Sequence, residues 1–306
     1  MGAVLCLTGA MVGAGFASGR EVMAFFSRYG GFSWALCALV GAETGLLTER
    51  ILRRDREQTG LAVTWLLMLL YLFLAGGMTA ASGALWALTV PLHAARTLGG
   101  GATLLLCVTV SRYPLKIMGK LGWGLGILLL TAVILCFLIP SQAAETEQAR
   151  QTDFIPAVLR ALGYGCMNVT LSRGILNDLR EHGTKKQKKR IALASGLTAG
   201  GLLMMENGVL LRHLPDLQDA AMPMVMLLRG FGKAGYILSA ALLYISVVTT
   251  LIAVCGGVRA LLPRDTEKGM ILFGLSVCCV ALLGFEGIVD RWYPILGWLC
   301  FAAYLI

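Results

Sequence analysis

Charge is scarce in this chain: only 14% of its 306 residues are Asp, Glu, Lys or Arg, too few to clothe the surface of a soluble domain, which needs about a quarter. Histidine is scarcer still. His93, His182 and His213 all fall in loops between apolar runs, which argues against a His-ligated cofactor within a membrane. No run of alternating apolar and polar residues marks a membrane β-barrel. The first apolar run has no basic segment before it and leads into a charged, glycine-rich motif instead of a cleavage site, so no cleavable signal peptide is expected. Cysteines lie almost wholly inside the apolar runs, where they act as small apolar residues, and neither a disulfide nor a metal cluster is expected. With no His or Cys nucleophile arrangement in the runs, an intramembrane enzyme is not expected.

What fills the chain instead is hydrocarbon. Hydrophobic residues make up 57% of it and its mean hydropathy is +0.76, so its solvent is lipid. Leu121 to Leu138 carries no charge and is long enough to cross a core of roughly 30 Å at about 1.5 Å per residue. Backbone groups in lipid must be satisfied within the segment, so such runs are helices. Read against their breakers, the runs predict ten spans, near 3–27, 31–49, 61–86, 97–111, 121–139, 155–177, 190–210, 234–258, 269–286 and 291–306. The loops after the even-numbered spans hold the basic clusters Arg50 to Arg56, Arg112 to Lys120, Arg180 to Arg190 and Arg259 to Lys268. The positive-inside rule then places both termini in the cytoplasm of a bacterial-type inner membrane. The cluster from Lys185 to Arg190 reads as a cytoplasmic loop held near anionic lipid, not as a nucleic-acid site.

The longest polar interval, Gln142 to Asp153, divides the spans five and five. Residues 1–140 form a first repeat, 141–154 an extracytoplasmic connector and 155–306 a second repeat. An odd number of spans per half makes homologous halves inverted, the architecture that places substrate at discontinuous helices near the midplane. Glycine clusters occur at corresponding places in both halves. Span 1 contains Gly9, Gly13, Gly15 and Gly19, followed by Arg20 and Glu21; span 6 contains Gly163, Gly165 and Gly174, with Asn168 and Arg173. Close helix packing accounts for Gly9 and Gly13, four residues apart, but not for two charges in mid-membrane. Breaks near Gly13 to Gly15 and Gly163 to Gly165 are therefore expected, since unwound backbone can ligate a cation through carbonyls and a carboxylate through amides. Ser18-Gly19-Arg20 and Ser172-Arg173-Gly174 place one arginine in each half, toward opposite faces if the repeat is inverted. In span 8, Ser246, Thr249 and Thr250 share one face and are candidate cation ligands, although such hydroxyls in membrane helices usually bond back to their own helix.

The segment Gly13 to Glu21, followed by Phe25-Phe26-Ser27-Arg28-Tyr29-Gly30, resembles the opening signature of the YkvI-type amino-acid permeases of the amino acid-polyamine-organocation superfamily, which usually carry glutamine where this chain has Arg20. That resemblance implies an all-α integral membrane protein with the LeuT-type fold, ten helices in a five-plus-five inverted repeat with helices 1 and 6 broken. It further implies a cation site made by the carbonyls of Gly9, Val12 and Ser246 with the hydroxyls of Thr249 and Thr250, taking Na+ if sodium is the coupling ion. Amides around Gly13, Ala14, Gly15 and Phe16 would face a substrate carboxylate, with Tyr164, Gly165 and Asn168 on the other side.

Glu43 in span 2 and Glu206 in span 7 are costly at membrane depth and are expected to face the bundle, as braces or as a proton carrier. Asp290 is placed to pair with Arg20 as an external gate. The function expected is cation-coupled uptake or exchange, with Na+ or H+ and no other cofactor, of an amino acid or similar zwitterion by alternating access. The alternatives are an amino-acid-sensing receptor subunit of the same fold and an unrelated ten-helix exporter or channel.

Overall fold

The computed structural model describes residues 14–53, 60–90, 94–113, 131, 133–134, 136, 154–182, 184–217, 220–262 and 266–305. Every regular element among these is helical. Two short helices, α1 (Ala14–Ser18) and α2 (Arg20–Phe25), lead through a 3-10 segment, Ser27–Phe32, into α3 (Ser33–Arg53). Long helices α4 (Leu61–Thr89) and α5 (Ala95–Val110) follow. Beyond the connector come α6 (Phe154–Leu171), α7 (Arg173–His182), α8 (Lys185–Arg212) and the short α9 (Leu214–Leu217) and α10 (Pro223–Leu228). The chain ends with α11 (Gly232–Leu261), α12 (Thr266–Ala281), α13 (Phe285–Gly287), a π-helical turn at Ile288–Trp292, and α14 (Tyr293–Leu305).

Among the described residues four stretches are long and apolar enough to cross a bilayer, namely Ser27–Arg53, Leu61–Leu88, Phe154–Leu171 and Pro223–Leu261. A fifth arises if Glu267–Ala281 and Phe285–Tyr304, which meet at 95°, are one bent span. Leucines at 46, 105, 197, 272 and 282 are exposed, as a lipid-facing surface requires. The chain is an all-α membrane protein.

Lipid offers no hydrophobic drive between helices, so small residues decide which helices approach closely. Among the described residues the broadest interface joins α3 to α8. There Gly41 and Gly45 meet Gly196 and Gly200: a Cβ on Gly196 would lie 2.6 Å from the carbonyl oxygen of Gly41, and one on Gly41 would lie 2.9 Å from Cα of Gly200. The thread is backbone against backbone. A second such crossing packs Gly163 of α6 on Gly297 of α14, where an added Cβ would come within 3.0 Å of the opposing backbone.

Of the two expected helix breaks, the first lies partly outside the described residues and the second is absent where it was expected. In the first half Gly13 lies outside the described residues and Gly15 sits within α1; the break falls at Gly19, which has φ +77°. Only glycine adopts that conformation at no steric cost, and a Cβ there would also lie 2.9 Å from Cγ of Met224. Ser18 stabilises the turn by donating to the Gly15 carbonyl at 2.7 Å and accepting from the Arg20 amide at 3.2 Å. In the second half α6 runs through Gly163 to Gly165 without a break, which corrects the sequence expectation. These glycines serve contact instead, Gly163 with α14 and Gly165 with Glu43. The helix turns only at Ser172, immediately before Arg173.

Candidate functional site

The turn at Gly19 sends the two neighbouring charges in different directions. Arg20 donates to the carbonyl of Ala220 at 2.9 Å and to Oδ2 of Asp290. Asp290 lies in the π-helical turn, whose wider backbone re-aims side chains relative to an α-helix. Glu21 points inward and is buried. Its carboxyl group occupies the room that Gly15 leaves free, since a Cβ on Gly15 would lie 1.7 Å from Oε1 of Glu21. Tyr164 of α6 donates its hydroxyl to the other oxygen of Glu21 at 3.2 Å, its ring held by Phe25 and Phe26 at centroid distances of 5.0 and 5.3 Å.

Behind this pair lies Glu206 of α8, wholly buried, with no hydrogen-bond partner on either oxygen among the described residues. It is within Coulombic reach of Glu21, and Tyr164 is within reach of both carboxylates. Tyr293, at the start of α14, faces the same charge and carries a buried hydroxyl with no partner among the described residues. Two acids and two phenols therefore come together near the turn between α1 and α2. Arg20, the cation nearest in sequence, is turned away to Asp290.

Glu43 is on the other side of α6. Cys166 donates its thiol to it at 3.2 Å, and its second oxygen packs against Gly165. Both Glu43 and Glu206 thus face protein. Asn168 donates to the carbonyl of Tyr164 at 3.0 Å, four residues back on its own helix. Of the residues expected to hold substrate, Gly15 and Tyr164 meet at one carboxyl group, Gly165 faces Glu43, and Gly13 lies outside the described residues. Ala14 opens α1, and Phe16 lines a small cavity with Met224, Ser239 and Leu243.

In the expected cation set, Gly9 and Val12 lie outside the described residues. Thr249 donates to the carbonyl of Ser246 at 3.0 Å, which brings two of the expected ligands together. The Ser246 hydroxyl is buried with no partner among the described residues, and Thr250 is half-buried. Arg173 places its guanidinium 5.3 Å from the centroid of the Tyr304 ring, a cation–π contact near the end of α14. The two arginines thus meet opposite ends of the same terminal element, Asp290 at one and Tyr304 at the other.

A buried relay escaped the sequence reading. Ser27 donates to Oδ1 of Asn207 at 2.9 Å, and Asn207 donates to Ser33 at 2.8 Å, tying the 3-10 segment to α8 beside Glu206. The signal was the adjacent polar pair Glu206-Asn207 inside an apolar run. Tyr293 left no comparable trace, because a tyrosine at a helix start reads as an interfacial anchor.

No family model matches the chain. Over 96% of its length it is 24% identical to the uncharacterized membrane protein YkvI of Bacillus subtilis (strain 168), covering 91% of that protein. Over 97% of its length it is 25% identical to the uncharacterized protein YyaD of the same organism, covering 92% of it. Apolar helices of spanning length and similarity along nearly the whole chain lead to one conclusion: this is a membrane protein similar to those two Bacillus proteins.

Proposed function

We propose that the protein is a secondary transporter of an amino acid or similar small zwitterion, coupled to a cation and working by alternating access. The observation that carries this reading is the buried carboxyl pair at the break, Glu21 over Gly15 and Glu206 behind it, with Tyr164 and Tyr293 alongside. Buried acids without a basic partner are expensive in a membrane and mark ion pathways and proton relays. A broken helix in the same place supplies free backbone for a polar solute. Of the two coupling ions, the proton suits these acids, each of which can carry one. In this reading the ten spans form two inverted repeats, residues 1–140 and 155–306 joined by 141–154, with both termini in the cytoplasm and the chain in the inner membrane. Arg20 and Asp290 form the outer gate.

The test is a panel of radiolabelled amino acids offered to proteoliposomes under separately imposed proton and sodium gradients. Uptake of one of them, stimulated by an inward proton gradient, is expected. A protein that binds an amino acid but moves none under either gradient is not a transporter.

A further inference from the structure

The last turn of α3 and the first turns of α8 come together at one end of the molecule. Between them lies a cavity of about 450 Å³ lined by Arg53, Lys185, Lys186, Lys189, Arg190 and Leu193. The one carboxylate paired with this group among the described residues is Glu49, which lies one turn before Arg53 on the same helix, 2.5 Å from its guanidinium. Arg53 is still 63% exposed, so its charge is open to a ligand. Like charges crowded at one spot repel, and an anion seated among them relieves that repulsion.

The surface continuing from the cavity is apolar. Leu46 lies two turns before Arg53 on α3 and is 68% exposed. On α8, Leu193 and Leu197 lie two turns beyond Lys186 and Arg190 and are 62% and 68% exposed. Residues seven apart share a helix face, so each helix presents a cationic end with an apolar stripe running from it toward the membrane centre. The glycine seam between α3 and α8 holds the two stripes together. A free phosphate or a nucleic acid has no use for the stripes. A phospholipid uses both parts.

We propose that this cavity binds the headgroup of an anionic phospholipid whose acyl chains lie along Leu46, Leu193 and Leu197. The site is separate from the buried acids and does not depend on the transport reading. It goes beyond general attraction of a basic loop to a charged leaflet, because the cations of two helices line one open depression with room for a headgroup.

The experiment follows the melting temperature of the full chain in non-ionic detergent with dioleoylphosphatidylglycerol, with dioleoylphosphatidylcholine, with inorganic phosphate and with a short DNA duplex. The phosphatidylglycerol alone is expected to raise it. The variant Lys186→Gln/Lys189→Gln/Arg190→Gln is expected to lose that rise while keeping the lipid-free melting temperature. Should the triple variant fail to fold, Arg53→Gln/Lys186→Gln is expected to shift the lipid titration midpoint by about thirtyfold. An equal rise with phosphatidylcholine, phosphate or DNA overturns the proposal, as does an unchanged response to phosphatidylglycerol in the folded variants.

Discussion

Tyr164 and Glu21 are 143 positions apart in sequence, yet a single hydrogen bond of 3.2 Å joins them beside the turn at Gly19. The bond ties the half-helix after Gly19 to the helix that follows the connector.

Replacing Tyr164 with Phe keeps the ring packing on Phe25 and Phe26 but strips Glu21 of its donor. A buried acceptor left unsatisfied costs about 1–3 kcal/mol. A lower melting temperature for Tyr164→Phe is expected. Adding Glu21→Gln to it should lose less than the sum of the two single changes, and additive losses would show that the residues do not interact.

Glu206→Gln is expected to fold and to lose proton-driven uptake by tenfold or more, because glutamine keeps hydrogen-bonding capacity but takes up no proton. Glu206→Leu should be the less stable of the two. Uptake measured against imposed pH gradients separates the effects. A glutamine variant with full proton stimulation removes Glu206 from the pathway and moves attention to Glu43.

At the proposed gate, Asp290→Asn leaves the Arg20 guanidinium buried beside a neutral group. Asp290 is about a third exposed, so solvent tempers the loss to about 1–2 kcal/mol. The double variant Arg20→Gln/Asp290→Asn should recover part of that stability. Its substrate should also leave loaded vesicles faster through the outer face, which leak assays would detect.

The glycines of α8 allow one chemical change with opposite outcomes. Gly196→Ala drives a methyl group to 2.6 Å from the Gly41 carbonyl and 3.0 Å from Gly45, an overpacking expected to cost about 1–3 kcal/mol. Gly201→Ala meets no atom within 4 Å and should be neutral or stabilising by up to about 1 kcal/mol. Thermal melts of the two variants, side by side, check both signs.

Thr249→Val/Thr250→Val removes two hydroxyls, of which Thr249 already donates to Ser246. If the proton is the coupling ion, uptake in the double variant should match the wild type within about twofold. A loss of sodium-stimulated uptake would restore the span 8 cation site.

The helices were legible wherever an apolar run ended in a clear breaker. α4, α5 and α11 begin and end within a few residues of the expected spans, at Leu61, Ala95 and Gly232. The breaks were less legible, because glycine has two uses that look alike in sequence. Gly19 is needed for its left-handed backbone, whereas Gly163 and Gly165 are needed for the missing side chain, and only the neighbours Met224, Gly297 and Glu43 distinguish them. Charge was a better guide. Arg20, Glu21, Glu43 and Glu206 were each too costly in lipid to be incidental, and each has a defined place in the bundle. Which charge meets which is set by the path of the chain: Arg20 reaches Asp290, 270 positions away, because the π-helical turn brings the terminal element beneath α2.

The seam of Gly41, Gly45, Gly196 and Gly200 joins a helix from before the 141–154 segment to a helix from after it. Its specificity resides in backbone shape and in the absence of side chains, so recognition between the halves does not require that they be covalently joined. A split gene, encoding the two halves as separate polypeptides inserted into the same bilayer, would retain the information needed for them to find each other.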